Sequence, residues 1–252
     1  MVERSPFGVR LWRLLECRRP TVVTKMEHMV ASLAQQAGVS SSALDDLLEG
    51  AEPSPDMLLL LAPALGIHAA DMFVIAGLRV PQDLASAWPT SPWDVGSLVE
   101  YAVRLPASRV GELDELIRSL PIHARTDPAP DDDYPEGPGA LLLRLQRNRN
   151  IRPYRAIVLA AVGGGPYVSA ATVAGLGPGH VVLTPQYVTA FAHVLGYAPE
   201  DVVALAGVGP VFADAHVHPA SAELAALAWN ARRLTSDQLS HVVHVAMRME
   251  RA

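Results

Sequence analysis

The residues best suited to chemistry with a charged partner are five arginines in the stretch RLQRNRNIRPYR: Arg144, Arg147, Arg149, Arg152 and Arg155. Guanidinium groups are forked donors that match phosphate oxygens, so the cluster reads as a phosphate-gripping patch. The alternative is a solvated face, partly paired with acids just upstream. Ser40, Ser41 and Ser42 form a second candidate, because hydroxyls at a helix start cap it and also meet phosphates. Asp45, Asp46 and Glu49 follow them closely and would repel a phosphate backbone. Gly163-Gly164-Gly165-Pro166 lacks the Gly-Lys-Ser/Thr ending of a nucleotide-binding loop and reads as a turn. His216 and His218, with His241 and His244 at i,i+3, would meet around a metal only if the chain folded back; rim histidines are the expected reading. Nothing beside Cys17 marks a base or a pocket. Neither catalysis, nor a metal, nor any other cofactor is expected.

The composition bounds these readings. Half of the 252 residues are apolar and 18% are charged, which suits a packed core and argues against disorder. The formal net charge of −6 excludes a uniformly basic nucleic-acid binder but not a locally basic one. Only residues 139–210 carry a surplus of positive charge, +3, against −2 for 7–80, −7 for 81–138 and 0 for 211–252. A single cysteine permits no internal disulfide. The N-terminus is too charged for a signal peptide, and Ala156–Gly179 is too broken by Gly and Pro for a membrane span. Lys25 is the sole lysine, which points to a GC-rich bacterial coding bias. A bacterial, cytoplasmic protein with no membrane partner is expected.

The elements that must position these residues are written twice. Leu65-Gly66, Asp71 and Ala76-Gly77 recur at Leu195-Gly196, Asp201 and Ala206-Gly207, an offset of 130. Val39-Ser40, Leu47 and Gly50 recur at Val168-Ser169, Leu176 and Gly179, an offset of 129. Later, Val95, Leu98, Val99, Ala102 and Leu105 match Leu224, Leu227, Ala228, Ala231 and Leu234. Two repeats, about 7–120 and 139–252, therefore flank an acidic, proline-rich linker over 121–138.

Helical periodicity dominates both repeats and strand patterns are scarce, so an all-α chain is predicted. Each repeat ends in a hairpin of two apolar-striped helices. In the first, Val110, Leu113, Ile117 and Leu120 form the second stripe, and Pro106 and Ser108 mark the break. In the second, the helices are expected at Leu224–Leu234 and Leu239–Met249. Earlier, Thr24 and Glu27 have capping-box spacing before a helix running to Ala37. Gly38 supplies a turn, Ser40 caps the next helix and Gly50 ends it. The matching helix of repeat two is expected over Ser169–Gly177.

LAQQAGVSSSALDDLLEG, followed by PSPDMLLLLAPALGI and DMFVIAGL, resembles the Xre/Cro-type helix-turn-helix repressor family over about Phe7–Leu78. VSAATVAGLGPG and TPQYVTAFAHVLGYAPEDVVALAGV resemble it more faintly. The resemblance implies two helix-turn-helix domains, at 7–80 and 139–210, each followed by its hairpin, at 81–120 and 211–252. It implies double-stranded DNA as partner, met by the start of the helix after Ser40: Ser41, Ser42, Ala43, Asp45 and Asp46. Leu48 and Glu49 depart from the family, which usually has Glu and then a basic or polar residue there. The expected function is a DNA-binding transcriptional regulator arranged like a fused dimer. The alternative is a repurposed relative that binds a protein partner. The hairpins could also join two chains as a homodimer.

Overall fold

The computed structural model describes residues 6–20, 25–86, 90–123, 133–211 and 216–251. Among these it is all-helical, with fourteen helices and no strand. The N-terminal five are α1 (Pro6–Cys17), α2 (Met26–Ala37), α3 (Ser41–Glu49), α4 (Pro55–Ala64) and α5 (Ala69–Ile75). The pair α6 (Val95–Ala102) and α7 (Ala107–Ser119) follows. Five more are α8 (Pro138–Arg147), α9 (Ala156–Gly163), α10 (Ala170–Ala174), α11 (Pro185–Leu195) and α12 (Pro199–Ala206). The last pair is α13 (Ser221–Ala231) and α14 (Ser236–Arg251). No single described helix is long and apolar enough to cross a membrane.

The chain divides into two compact units: an N-terminal unit, Met1–Leu84 with Ala204–Gly207, and a C-terminal unit, Ala85–Val203 with Val208–Ala252. The first hairpin, although it follows the N-terminal helices in sequence, therefore lies in the C-terminal unit. Its apolar stripe is satisfied there by α13 and α14.

In the N-terminal unit, α1 packs on α2 and α3, and α4 packs on α2 and α5. Phe7, Leu11, Leu14, Leu44, Leu58 and Leu61 are buried at the centre. Each contributes roughly 1.5–3 kcal/mol of apolar burial. Gly8 allows the α1–α3 approach, because a Cβ there would collide with the Leu47 carbonyl oxygen. In the C-terminal unit Gly139 stands in the same relation to the Leu176 carbonyl. Caps recur similarly. Ser54 Oγ accepts from Met57 N at 3.2 Å before α4, and Thr184 Oγ1 accepts from Tyr187 N at 3.4 Å before α11, each ahead of a proline at the helix start.

The hairpins interlock inside the C-terminal unit: α6 lies on α14 and α7 on α13, while α6 also meets α13 and α7 meets α14. Exchanging the two hairpins leaves this pattern of contacts unchanged, as in an isologous interface. Leu98, Ala102, Leu113 and Ile117 are buried there with Leu227, Ala231, Leu239 and Val242. The apolar stripes of both hairpins are thus buried within one chain. Two local expectations shift. Thr24 lies outside the described residues, and Lys25, which precedes α2, gives no side-chain cap. The helix expected over Ser169–Gly177 is confined to Ala170–Ala174, because Gly175, Gly177, Pro178 and Gly179 cannot sustain it.

His193, in the last turn of α11, is held below the ordinary histidine pKa by burial, which opposes the charged ring more than Glu200 favours it. As pH falls below about 6.5, the unfolded chain takes up this proton before the folded one, so stability declines toward acid. His193→Gln should flatten the decline in melting temperature between about pH 7 and about pH 5. An unchanged pH profile would show that His193 contributes none of it.

Candidate nucleic-acid interface

Helices α2 and α3 are joined by a turn over 38–40. Gly38 sits at φ 69°, ψ 30°, and its N–H donates to the Ala34 and Gln35 carbonyls at the end of α2. This left-handed position favours glycine. Ser40 then stands extended, at φ −76°, ψ 146°, and its Oγ accepts from Ala43 N at 3.2 Å. Those two residues set where α3 begins. Leu44, Leu47 and Leu48 bury one face of α3, and this fixes which residues point outward: Ser41, Ser42, Asp45, Asp46 and Glu49 are all exposed. The departure at Leu48 is thereby a core contact.

The exposed face is electrostatically divided. The N-terminus of α3, with Ser40, Ser41 and Ser42, offers hydroxyls and the positive end of the helix dipole to an anion. One turn on, the three carboxylates oppose any phosphate that docks along the helix. No shared acidic metal site arises from them, and no cluster of three or more metal-ligating side chains occurs among the described residues.

The five arginines of 144–155 lie in the C-terminal unit, at the end of α8 and in the loop to α9, and they are largely committed to protein. Arg149 is 0% exposed. Its Nη1 donates to the Leu145 carbonyl at 2.9 Å and its Nη2 to the Leu195 carbonyl at 2.7 Å, while the guanidinium lies over the Tyr197 and Trp229 rings. A duplex outside the folded unit has no access to it. Arg155 Nε donates to Asp94 Oδ1 at 3.0 Å, Nη1 to Glu100 Oε1 at 3.1 Å, and Nη2 to Ser97 Oγ. Asp94 is itself fully buried, caps α6, and accepts from Arg152 N at 3.2 Å. Arg152 donates to the Thr90 carbonyl and the Tyr154 hydroxyl. Arg144 donates to the Tyr134 carbonyl at 2.9 Å and pairs with Glu136. Arg147 is half-buried. The alternative reading of the cluster, pairing with neighbouring acids, describes Arg144 and Arg155, although the acids of Arg155 come from α6 and its N-cap rather than from the linker. Among His216, His218, His241 and His244, His218 Nδ1 accepts from Ala220 N at 3.2 Å, an ordinary turn contact.

Comparison with protein-family models, with curated proteins and with solved structures gave no match to this chain.

Arg149 has a counterpart in the N-terminal unit. In the N-terminal unit Arg18 Nη1 donates to the Leu65 carbonyl at 2.8 Å, at the end of α4. In the C-terminal unit Arg149 makes the equivalent bond at the end of α11. Leu65 and Leu195 are a repeat pair, and Arg18 and Arg149 are separated by nearly the same offset. Both arginines satisfy carbonyls that a helix terminus leaves without partners.

Proposed function

We propose that this protein is a DNA-binding transcriptional regulator of the Xre/Cro helix-turn-helix type, working in the bacterial cytoplasm and meeting double-stranded DNA through the N-terminal unit. The observation that carries this reading is the α2–α3 pair: a tight glycine turn, a Ser-capped second helix anchored by Leu44, Leu47 and Leu48, and a solvent-facing start with Ser41 and Ser42. In this reading the C-terminal unit is a degenerate second copy. Its α9 and α10 are separated by the longer stretch 164–169, α10 has five residues, and the arginines nearby serve packing. The interlocked hairpins then take the place that a dimer interface holds in a two-chain regulator, and no enzymatic activity or cofactor is involved.

A second reading is a repurposed relative that binds a protein partner through α3. The exposure of Asp45, Asp46 and Glu49 on the face that would meet DNA favours it. The salt dependence of binding to a random-sequence duplex separates the two. A DNA binder loses affinity steeply as salt rises, through counterion release. The double variant Ser41→Glu/Ser42→Glu should abolish binding. Absence of binding by the intact protein at low salt would reject the regulator reading in favour of the protein partner.

A further inference from the structure

The C-terminal unit contains a half-open groove of about 550 Å³ along α9 and the start of α10. That size is typical of small-molecule sites, roughly 300–1,000 Å³. Its walls include Tyr154, Ile157 and Tyr167, which are 47%, 48% and 89% exposed. Tyrosine supplies a flat apolar face with a polar tip, and Ile157 adds aliphatic surface open to solvent beside it.

The charges in the groove settle what kind of ligand fits. The charged lining residues are Glu100 and Arg155, and they pair with each other, with Arg155 Nη1 at 3.1 and 3.3 Å from the two Glu100 oxygens. Arg155 is further balanced by buried Asp94, and the Tyr154 ring already lies beneath the guanidinium groups of Arg152 and Arg155, at 5.8 and 5.5 Å. Two guanidinium groups against two carboxylates leave the surroundings electrically neutral. A cation would find the Tyr154 face occupied, and an anion would meet Glu100. The Glu100 carboxylate still has lone pairs for a donor beyond Arg155. Ser169, whose Oγ accepts from Thr172 N at 3.1 Å, adds a hydroxyl to the lining.

We propose that this groove binds a neutral, flat aromatic molecule bearing an N–H or O–H donor, stacked on Tyr167 and Ile157 and donating to Glu100. This site is separate from the α3 surface and does not depend on DNA binding. Ligand-observed NMR with the full chain tests it, using indole as probe, with benzoate and benzylammonium as anionic and cationic counterparts. Indole should bind more tightly than either ion. Tyr167→Ala and Ile157→Asp, both at exposed positions, should each weaken indole by about tenfold while leaving the melting temperature unchanged. The proposal is overturned if indole shows no binding up to its solubility, if both variants bind it as well as the parent does, or if either ion binds more tightly.

Discussion

Arg149→Ala should destabilise the C-terminal unit by about 4 kcal/mol, one of the two largest single-residue effects expected in this protein. The side chain is wholly buried, and its removal strips a donor from the Leu145 and Leu195 carbonyls. Each orphaned acceptor costs about 1–3 kcal/mol. The contacts with Tyr197 and Trp229 are lost as well, and a cavity of nearly the whole side chain remains. Arg149→Lys should fall between, because an ammonium cannot fork between two carbonyls on different helices. Urea unfolding followed by hydrogen exchange in α8 and α11 measures both. A loss below about 1 kcal/mol would mean that Arg149 is not a strut. Under conditions where the alanine variant stays folded, its DNA-binding salt slope should match the parent's, because a buried guanidinium neutralises no phosphate.

Gly163→Ala should cost the same unit about 3 kcal/mol or more by overpacking. Helices α9 and α11 touch at this residue. A Cβ on Gly163 would collide with the Ala190 carbonyl oxygen and lie 2.6 Å from Ala190 Cα, and backbone cannot swing aside as a side chain can. Gly111 provides the contrast. It is exposed within α7, and a Cβ there meets nothing within 4 Å. Gly111→Ala should therefore stabilise by about 0.5–1 kcal/mol, the ordinary gain of alanine over glycine inside a helix. Melting temperatures of the two variants should move in opposite directions; a shift of the same sign would show that α9 and α11 do not approach at Gly163.

The helices were legible because their signals are local. Ser40 and Gly38 act within three or four residues, and the stripes Leu98–Ala102 and Leu227–Ala231 repeat at helical spacing. Leu44, Leu47 and Leu48, at helical spacing, leave the serines and acids of α3 on its outer face. What sequence spacing does not contain is pairing across the chain. Arg155 looks like a free cation beside its neighbours, yet its partners Asp94 and Glu100 precede it by some sixty residues and reach it only through folding. Arg149 looks equally free, because burial of an arginine is uncommon and depends on carbonyls and rings supplied by α11 and α13. The allocation of the first hairpin to the C-terminal unit was hidden for the same reason. Its apolar stripe states that it must be covered but not by which helices. The groove at Tyr167 joins residues from 100 to 170 and left no compact motif to find.

The placement of α3 against DNA is tested most directly by the double variant Asp45→Asn/Asp46→Asn, measured against the parent for affinity to a random-sequence duplex at low salt. Both carboxylates are exposed on the face that carries Ser41 and Ser42, and both are isosterically neutralised without touching the buried leucines. A unit charge about 4 Å from a phosphate in water is worth about 1 kcal/mol, so removing two should tighten binding by about tenfold or more. Tighter binding that weakens again as salt rises is the expected result. Equal affinity of the two proteins, or no binding by either, would contradict the placement of α3 against DNA.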